Sequence, residues 1–285
     1  EPASKFPIAI DASRRFLIDA MGRPFFVHGT APWCLVSNLS RADIDYYLDD
    51  IGGKGFNAVC VMAIDHLFTK QTPRYLNAEG QAPFLDMVDG SVESVEFSSP
   101  NEVYWQLVDH AIAGCKKRGM LVFLEPSYSG IPRAPQEGWW AELLAASDAS
   151  LLAYGRFLGN RYKDYGNIIW VHGGDRDDDN PGKQRQIANG INEAASGQLQ
   201  TAHGTTNTDT REHWNSEIWL TGPDLIYQWE AYGGDVGGSV LTSYARTPTM
   251  PALLFEGQYD GLSADADQCR RQAWQSVLSG GCGHF

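Results

Sequence analysis

The apolar residues of this 285-residue chain cluster in short continuous runs, separated by stretches in which apolar and polar positions alternate with helical spacing. The runs are "AVCVMAI" (58–64), "MLVFLEPS" (120–127), "NIIWVHGGD" (167–175), "LQTAHGT" (199–205), "LIYQWEAY" (225–232) and "MPALLFEGQYDG" (250–261). Their β-branched and aromatic content and their shortness predict strands buried on both faces, as in a parallel sheet. Between them, "LSRADIDYYLDDIGGKG" (39–55) places Ile44, Tyr47, Leu48 and Ile51 on one helical face. Ser40 with Asp43 three residues on resembles a capping box there, and Gly52–Gly53 close the helix. Further helices are predicted at 101–119, 141–165, 182–196 and 265–280, and "CGHF" (282–285) reads as the start of one more strand. Near the start, Phe16 and Ile18, then Phe25 to Val27, flank "DAMGRP", which predicts a hairpin turned at 21–23. The polar segment 65–100, rich in Pro, Gly and Ser, is too long for a plain connection and predicts an elaborated loop.

Counted from residue 25, about eight strands alternate with helices or long loops. Such alternation means a parallel sheet with crossover helices, and eight units in this length match a closed (β/α)8 TIM barrel preceded by an N-terminal β-hairpin. A doubly wound open sheet would show a Gly-rich phosphate turn after its first strand; "HGTAPW" (28–33) is no such turn.

The composition, 43% hydrophobic and 12% aromatic, is that of a folded globular protein. The net charge of −13 repels polyanions, so neither nucleic acid nor an anionic membrane is an expected partner. No apolar run approaches 18 residues, which excludes a spanning helix. The first residue is Glu, which suits a processed chain and, with the function argued below, a secreted or periplasmic protein. Five cysteines, none in a CxxC pair, predict buried apolar packing and no zinc site. Oligomeric state is left open.

In a (β/α)8 barrel the site is built on the C-terminal strand ends. Those ends carry His28 and Trp33, Asp65 and His66, Glu125 and Tyr128, His172 and Asp175, His203 and Asn207, Gln228 and Glu230, and Glu256 and Tyr259. The two glycines before Asp175 remove side chains where a ligand or another backbone comes close. The acids that follow, Asp177 to Asp179, suit a helix entry. Glu256 ends an apolar strand, where a carboxyl group without a hydrogen-bonding role would be costly. Paired carboxyl groups at a barrel mouth among aromatics point to glycoside hydrolysis, one group protonating the leaving oxygen and the other attacking the anomeric carbon or activating water. Aromatics offer flat faces to sugar rings. On alternation, Gln228 and Trp229 face opposite ways, and Gln228 is the one expected in the site. Trp139, Trp140, Trp214 and Trp219 are expected to pack helices on the barrel. A metal-dependent barrel hydrolase, suggested by the His/Asp cluster, and a non-catalytic carbohydrate-binding barrel are the alternatives.

The segments "FLIDAMGRPFFVHGTAPW", "IIWVHGGDRD", "TAHGT" and "PALLFEGQYDG" together resemble the apiosidase-like glycoside hydrolases, glycoside hydrolase family 140, from about residue 14 to the end. The resemblance implies a retaining glycosidase barrel with its acid/base on strand four and its nucleophile on strand seven: Asp175 and Glu256 here. It implies a carbohydrate substrate, no cofactor and no metal. Trp33, Asp65, His66, Glu125, His172, His203, Gln228 and Tyr259 are the expected substrate-binding residues. Relatives more often carry an acid before the first-strand Trp, where this chain has "HGTAP", and commonly add a C-terminal β-sandwich. One catalytic barrel domain over 1–285, with the hairpin at 1–24 and no such sandwich, is the expected organisation.

Overall fold

The continuous apolar runs become parallel strands whose two faces meet two different layers. The structure is a computed structural model that describes residues 5–66, 68–71, 74–87, 95–132, 137–176 and 181–285. It begins with a small antiparallel sheet of β1 (Ala9–Ile10), β2 (Leu17–Ile18) and β3 (Pro24–Phe25). The expected hairpin is β2–β3, with Leu17 opposite Phe25. Asp19 shapes its turn, Oδ1 accepting from the backbone N–H groups of Met21 (2.9 Å) and Arg23 (3.0 Å). Strand β1 is an addition, since two residues are too few to display alternation.

Eight parallel strands follow, in keeping with the expected barrel: β4 (Val27–Thr30), β5 (Ala58–Met62), β6 (Leu121–Glu125), β7 (Ile168–Gly173) and β8 (Leu199–His203), then, after the short β9 (Thr208–Asp209), β10 (Asp224–Tyr227), β11 (Ala252–Glu256) and β12 (Gly283–His284). Their order is β8-β7-β6-β5-β4-β12-β11-β10-β9, with only β9 antiparallel. The helices are α1 (Leu35–Asn38), α2 (Arg41–Gly53), α3 (Glu102–Lys117), α4 (Trp140–Ala145), α5 (Asp148–Tyr162), α6 (Gly182–Ala194), α7 (Thr210–Trp214), α8 (Val236–Ala245) and α9 (Ala266–Leu278). None is long and apolar enough to cross a membrane, among the described residues.

Alternation divides each run between the layers. Cys60, Phe123, Ile169, Val171 and Phe255 fill the barrel interior. Val59, Val61, Val122, Leu124 and Trp170 meet the helices, with Ile44 and Leu48 of α2 among their partners. The ring of Phe285 occupies the interior beside Gly29, where a Cβ would come within 2.2 Å of it. The single helix expected over 141–165 is two, because Ser147 accepts from the backbone N–H of Ser150 and caps a new start. Helix α8, "VGGSVLTSYA", escaped the pattern because its glycines and short polar residues blur the apolar stripe.

Strands β8 and β10 do not pair directly, and α7 closes this seam. The Thr210 hydroxyl donates to Ala202 O (2.5 Å) and accepts from Leu225 N–H (3.0 Å). Arg211 pairs with Asp224 at 2.9 Å, the side chains 2% and 0% exposed, and also donates to Pro248 O and Ser243 O. Asp224→Ala strands this buried guanidinium. We expect it to lower unfolding free energy by about 3–5 kcal/mol, read by chemical denaturation; a loss under about 1 kcal/mol would mean that the seam does not depend on the pair.

Candidate active site

Strand β7 ends in three consecutive left-handed residues, Gly173 (φ 91°), Gly174 (φ 104°) and Asp175 (φ 51°). The glycines are needed for space as well as conformation. A Cβ on Gly173 would lie 2.7 Å from His203 O, and one on Gly174 would lie 2.4 Å from the Tyr128 ring and 2.6 Å from Glu125 Oε1. The backbone is held across both neighbours, Gly174 N–H donating to His203 O (2.8 Å) and Ser129 N–H to Gly173 O (2.7 Å). The turn swings Asp175 into the barrel mouth, where Tyr128 Oη donates to its Oδ2 at 2.6 Å. Left-handed backbone at a non-glycine residue costs about 1–2 kcal/mol, a strain typical of residues held for a task.

Glu256 ends β11 and is 7% exposed. Tyr259 Oη donates to Glu256 Oε1 (2.6 Å) and accepts from Trp33 Nε1 (2.8 Å). His203, at the end of β8, sits between the two acids: Nε2 lies 3.0 Å from Glu256 Oε2 and 3.8 Å from Asp175 Oδ1. The contact with Glu256 is a close ion pair rather than an aligned hydrogen bond. The His203 ring lies parallel to Trp33, centroids 5.9 Å apart at 4°. Asp175, His203 and Glu256 each present an atom within 4.8 Å of the others.

Burial and the Glu256 charge push the Asp175 carboxyl up to about 6, against the pull of His203, Tyr128 and Tyr227. Burial disfavours the His203 cation, yet the contact and charge of Glu256, then the charges of Asp175 and Glu125, raise it to about 9. The site thus pairs an acid that carries its proton below about pH 6 with an imidazolium beside Glu256. Asp175, His203 and Glu256 are also the one set of donor atoms close enough for a metal, among the described residues.

These groups line a cleft of about 610 Å³ with Tyr128, Tyr227, Trp229, Tyr232 and Tyr259. Of the residues expected from strand ends, Trp33, Tyr128, Asp175, His203, Glu256 and Tyr259 meet in it. The others lie elsewhere. Asp65 is buried and holds its own loop, accepting from Ser37 Oγ (2.7 Å) and Phe68 N–H (3.1 Å). His66 lies 3.5 Å from Glu142 and edge-on to Trp139. His172 faces the helix layer, Nε2 2.8 Å from Gln200 Oε1 and its ring against Trp219; burial holds it down at about 4, despite Gln200. Glu125 is fully buried beneath Gly174, with neither oxygen hydrogen-bonded among the described residues. Burial, reinforced by Asp175 and Glu256 against the pull of His203, pushes its carboxyl group well above the usual carboxylate range.

Gln228 and Trp229 do face opposite ways, but Trp229 is the one in the cleft. Gln228 Oε1 accepts from Asp235 N–H (3.2 Å) instead. Alternation runs unbroken through the end of β10: Leu225 packs in the barrel interior and Tyr227 and Trp229 line the cleft, while Ile226 packs against α8, so Gln228 falls on the outer side. Trp139, Trp214 and Trp219 are buried and Trp140 is partly so, as expected of packing residues. Phe68 reaches the cleft from the long loop after β5, and Thr205 and Thr206 from the short connection between β8 and β9. Tyr227, the last residue of β10, also lines it, as does Glu137, which lies just before α4 and carries no signal in the sequence. Asp177 to Asp179 lie outside the described residues.

A family profile described as "Apiosidase-like, catalytic domain" matches residues 11–285. No curated protein matches the chain. Among solved structures, a glycoside hydrolase family 5 protein from Bacteroides vulgatus is similar, at 24% identity and a TM-score of 0.81, over 99% of this chain and 63% of that one. A structure described as a glycoside hydrolase is 25% identical with a TM-score of 0.78, over 99% and 65%. A glycoside hydrolase family 5 mannosidase from Rhizomucor miehei shares the fold at 12% identity and a TM-score of 0.67, over 99% and 86%. The chain thus spans less than two thirds of the length of the first two. With the profile covering nearly all of it, and the strand-end glycines, acids and aromatics forming one cleft, the chain belongs to the family of apiosidase-like catalytic domains.

Proposed function

We propose that this protein hydrolyses glycosidic bonds in an oligosaccharide or polysaccharide with retention of anomeric configuration. Asp175 is the acid/base and Glu256 the nucleophile. The observation that carries this reading is the spacing: each carboxyl group presents an oxygen within 4.8 Å of the other. Such a close approach is nearer the about 5–5.5 Å of retaining enzymes than the about 6.5–9.5 Å across which inverting enzymes hold a water. Family membership and the glycoside hydrolases among the solved structures support the reaction class.

Asp175 gives its proton to the glycosidic oxygen as that bond breaks, and Glu256 attacks the anomeric carbon as the carboxylate. Water then enters, Asp175 takes its proton, and the ester to Glu256 is cleaved. The electrostatics suit both halves: the acid is held protonated toward neutrality while Tyr259 and His203 face the carboxylate that attacks. A secreted or periplasmic location goes with this reading, since glycan polymers are met there.

The test is the anomer first released. After a screen of plant and bacterial glycans finds a substrate, proton NMR should detect the retained anomer before mutarotation, and an inverted first product would refute the proposal. Because Asp175 must carry its proton to act as acid, kcat/KM should fall as pH rises through about 6; a rate still climbing there would remove Asp175 from that role.

A further inference from the structure

Glu137 lines the same cleft as Asp175 and Glu256, and the proposed reaction leaves it without a task. It sits between β6 and α4, and its position is anchored. Gly138 packs backbone to backbone on Gly130, where a Cβ on either glycine would come within 2.6 Å of the other strand of the loop. Trp139 N–H donates to Tyr128 O at 2.8 Å. Glu137 therefore belongs to the same rigid corner as Tyr128, whose phenol holds Asp175. Among the described residues, one of its oxygens, Oε2, is buried with no hydrogen-bond partner. A buried acceptor left unpaired costs about 1–3 kcal/mol, so it is placed for a donor that arrives with a ligand.

The rest of the cleft narrows what that donor is. Among the described residues, no Lys or Arg lines it. Arg176, beside Asp175, lays its guanidinium over Trp140 and donates to Gly130 O. The imidazole of His203 is already shared between Glu256 and Asp175. Among the described residues, a carboxylate on the ligand would meet three acids and no free cation, whereas hydroxyl groups bring donors that a carboxylate accepts well.

We propose that Glu137 is a specificity residue, its carboxylate accepting hydrogen bonds from sugar hydroxyls and restricting the cleft to uncharged glycans. This rests on the reading of the cleft as a glycan site, and its test reads binding so that it does not depend on turnover. Quenching of tryptophan fluorescence, with Trp33 and Trp229 in the cleft, is titrated with cello-, manno-, xylo- and arabino-oligosaccharides and with oligogalacturonate. Wild type, E137Q and E137A are compared. At least one neutral series should bind wild type, and oligogalacturonate should not. E137A should weaken that binding by about 10–100-fold, the range for a hydrogen bond to a charged group, and the isosteric E137Q by less. For any probe that is hydrolysed, KM should rise while kcat changes by less than about threefold and the pH profile stays in place. Unchanged binding in E137A, oligogalacturonate binding as tightly as the neutral sugars, or no neutral series binding at all would each overturn it. An inverted product alongside the expected binding pattern would count against the Asp175 and Glu256 roles alone.

Discussion

Replacing Glu256 by Gln is expected to lower kcat by about four to six orders of magnitude, the scale on which removing a covalent nucleophile acts. The amide keeps the shape of the side chain and its place at the end of β11, but it cannot form the glycosyl ester. The local network predicts a second consequence. Tyr259 donates to Glu256 Oε1 at 2.6 Å, and the His203 cation lies 3.0 Å from Oε2. Without the Glu256 charge, the main influence raising His203 is gone, so its imidazole should titrate lower in the variant, visible by NMR of the ring protons. Chemical rescue identifies the role. In Glu256→Ala, azide can enter the vacated space and attack the anomeric carbon of a substrate with a good leaving group. The product would be a glycosyl azide of inverted configuration. A variant as active as wild type, or an azide adduct of retained configuration, would remove Glu256 from the nucleophile's role.

The second large effect is at Asp175. Asp175→Asn should lower kcat/KM by about 10²–10⁴ for a poor leaving group, the range for losing general acid catalysis, and by much less for a leaving group that needs no proton. Asn is the informative replacement because it tolerates the left-handed backbone that this position adopts at φ 51°. The fall in rate through about pH 6 should vanish with the carboxyl group, because that limb belongs to Asp175. Azide again distinguishes the roles: in Asp175→Ala it should intercept the intermediate on Glu256 and give a glycosyl azide of retained configuration. Equal loss for good and poor leaving groups, with the pH limb intact, would show that Asp175 is not the acid.

The two residues argue from different parts of the sequence, and that difference explains how much of the site could be read in advance. Glu256 was visible because a five-residue strand buried throughout ends on it. Asp175 was visible because two glycines precede it, and their left-handed conformation and close approach to His203 and Tyr128 account for them. Trp33 and Tyr259 were legible from their places just past strands one and seven, although nothing in the sequence shows that one hydrogen-bonds the other across the barrel mouth. Asp65, Glu125 and His172 look the same in sequence as His203: polar residues at or near strand ends. Whether such a residue reaches the cleft, sits beneath it or faces the helices depends on the pleat and the height at which its strand stops. Gln228 and Trp229 make the point most sharply: alternation sets them on opposite sides, but only the closed barrel, with Leu225 inside it, decides that Trp229 is the one the cleft receives.

What the sequence determined by itself was the barrel, the order of its eight parallel strands and the strand-end places of Asp175 and Glu256, because burial periodicity, caps and glycine turns are local properties that residues carry with them. The tertiary structure decided the side-chain partnerships: His203 between two carboxyl groups, Tyr128 on Asp175, Glu137 at the rim, and α7 closing the seam between β8 and β10. These join residues tens to hundreds of positions apart. Their geometry is set by strand register and barrel closure, which no single segment contains.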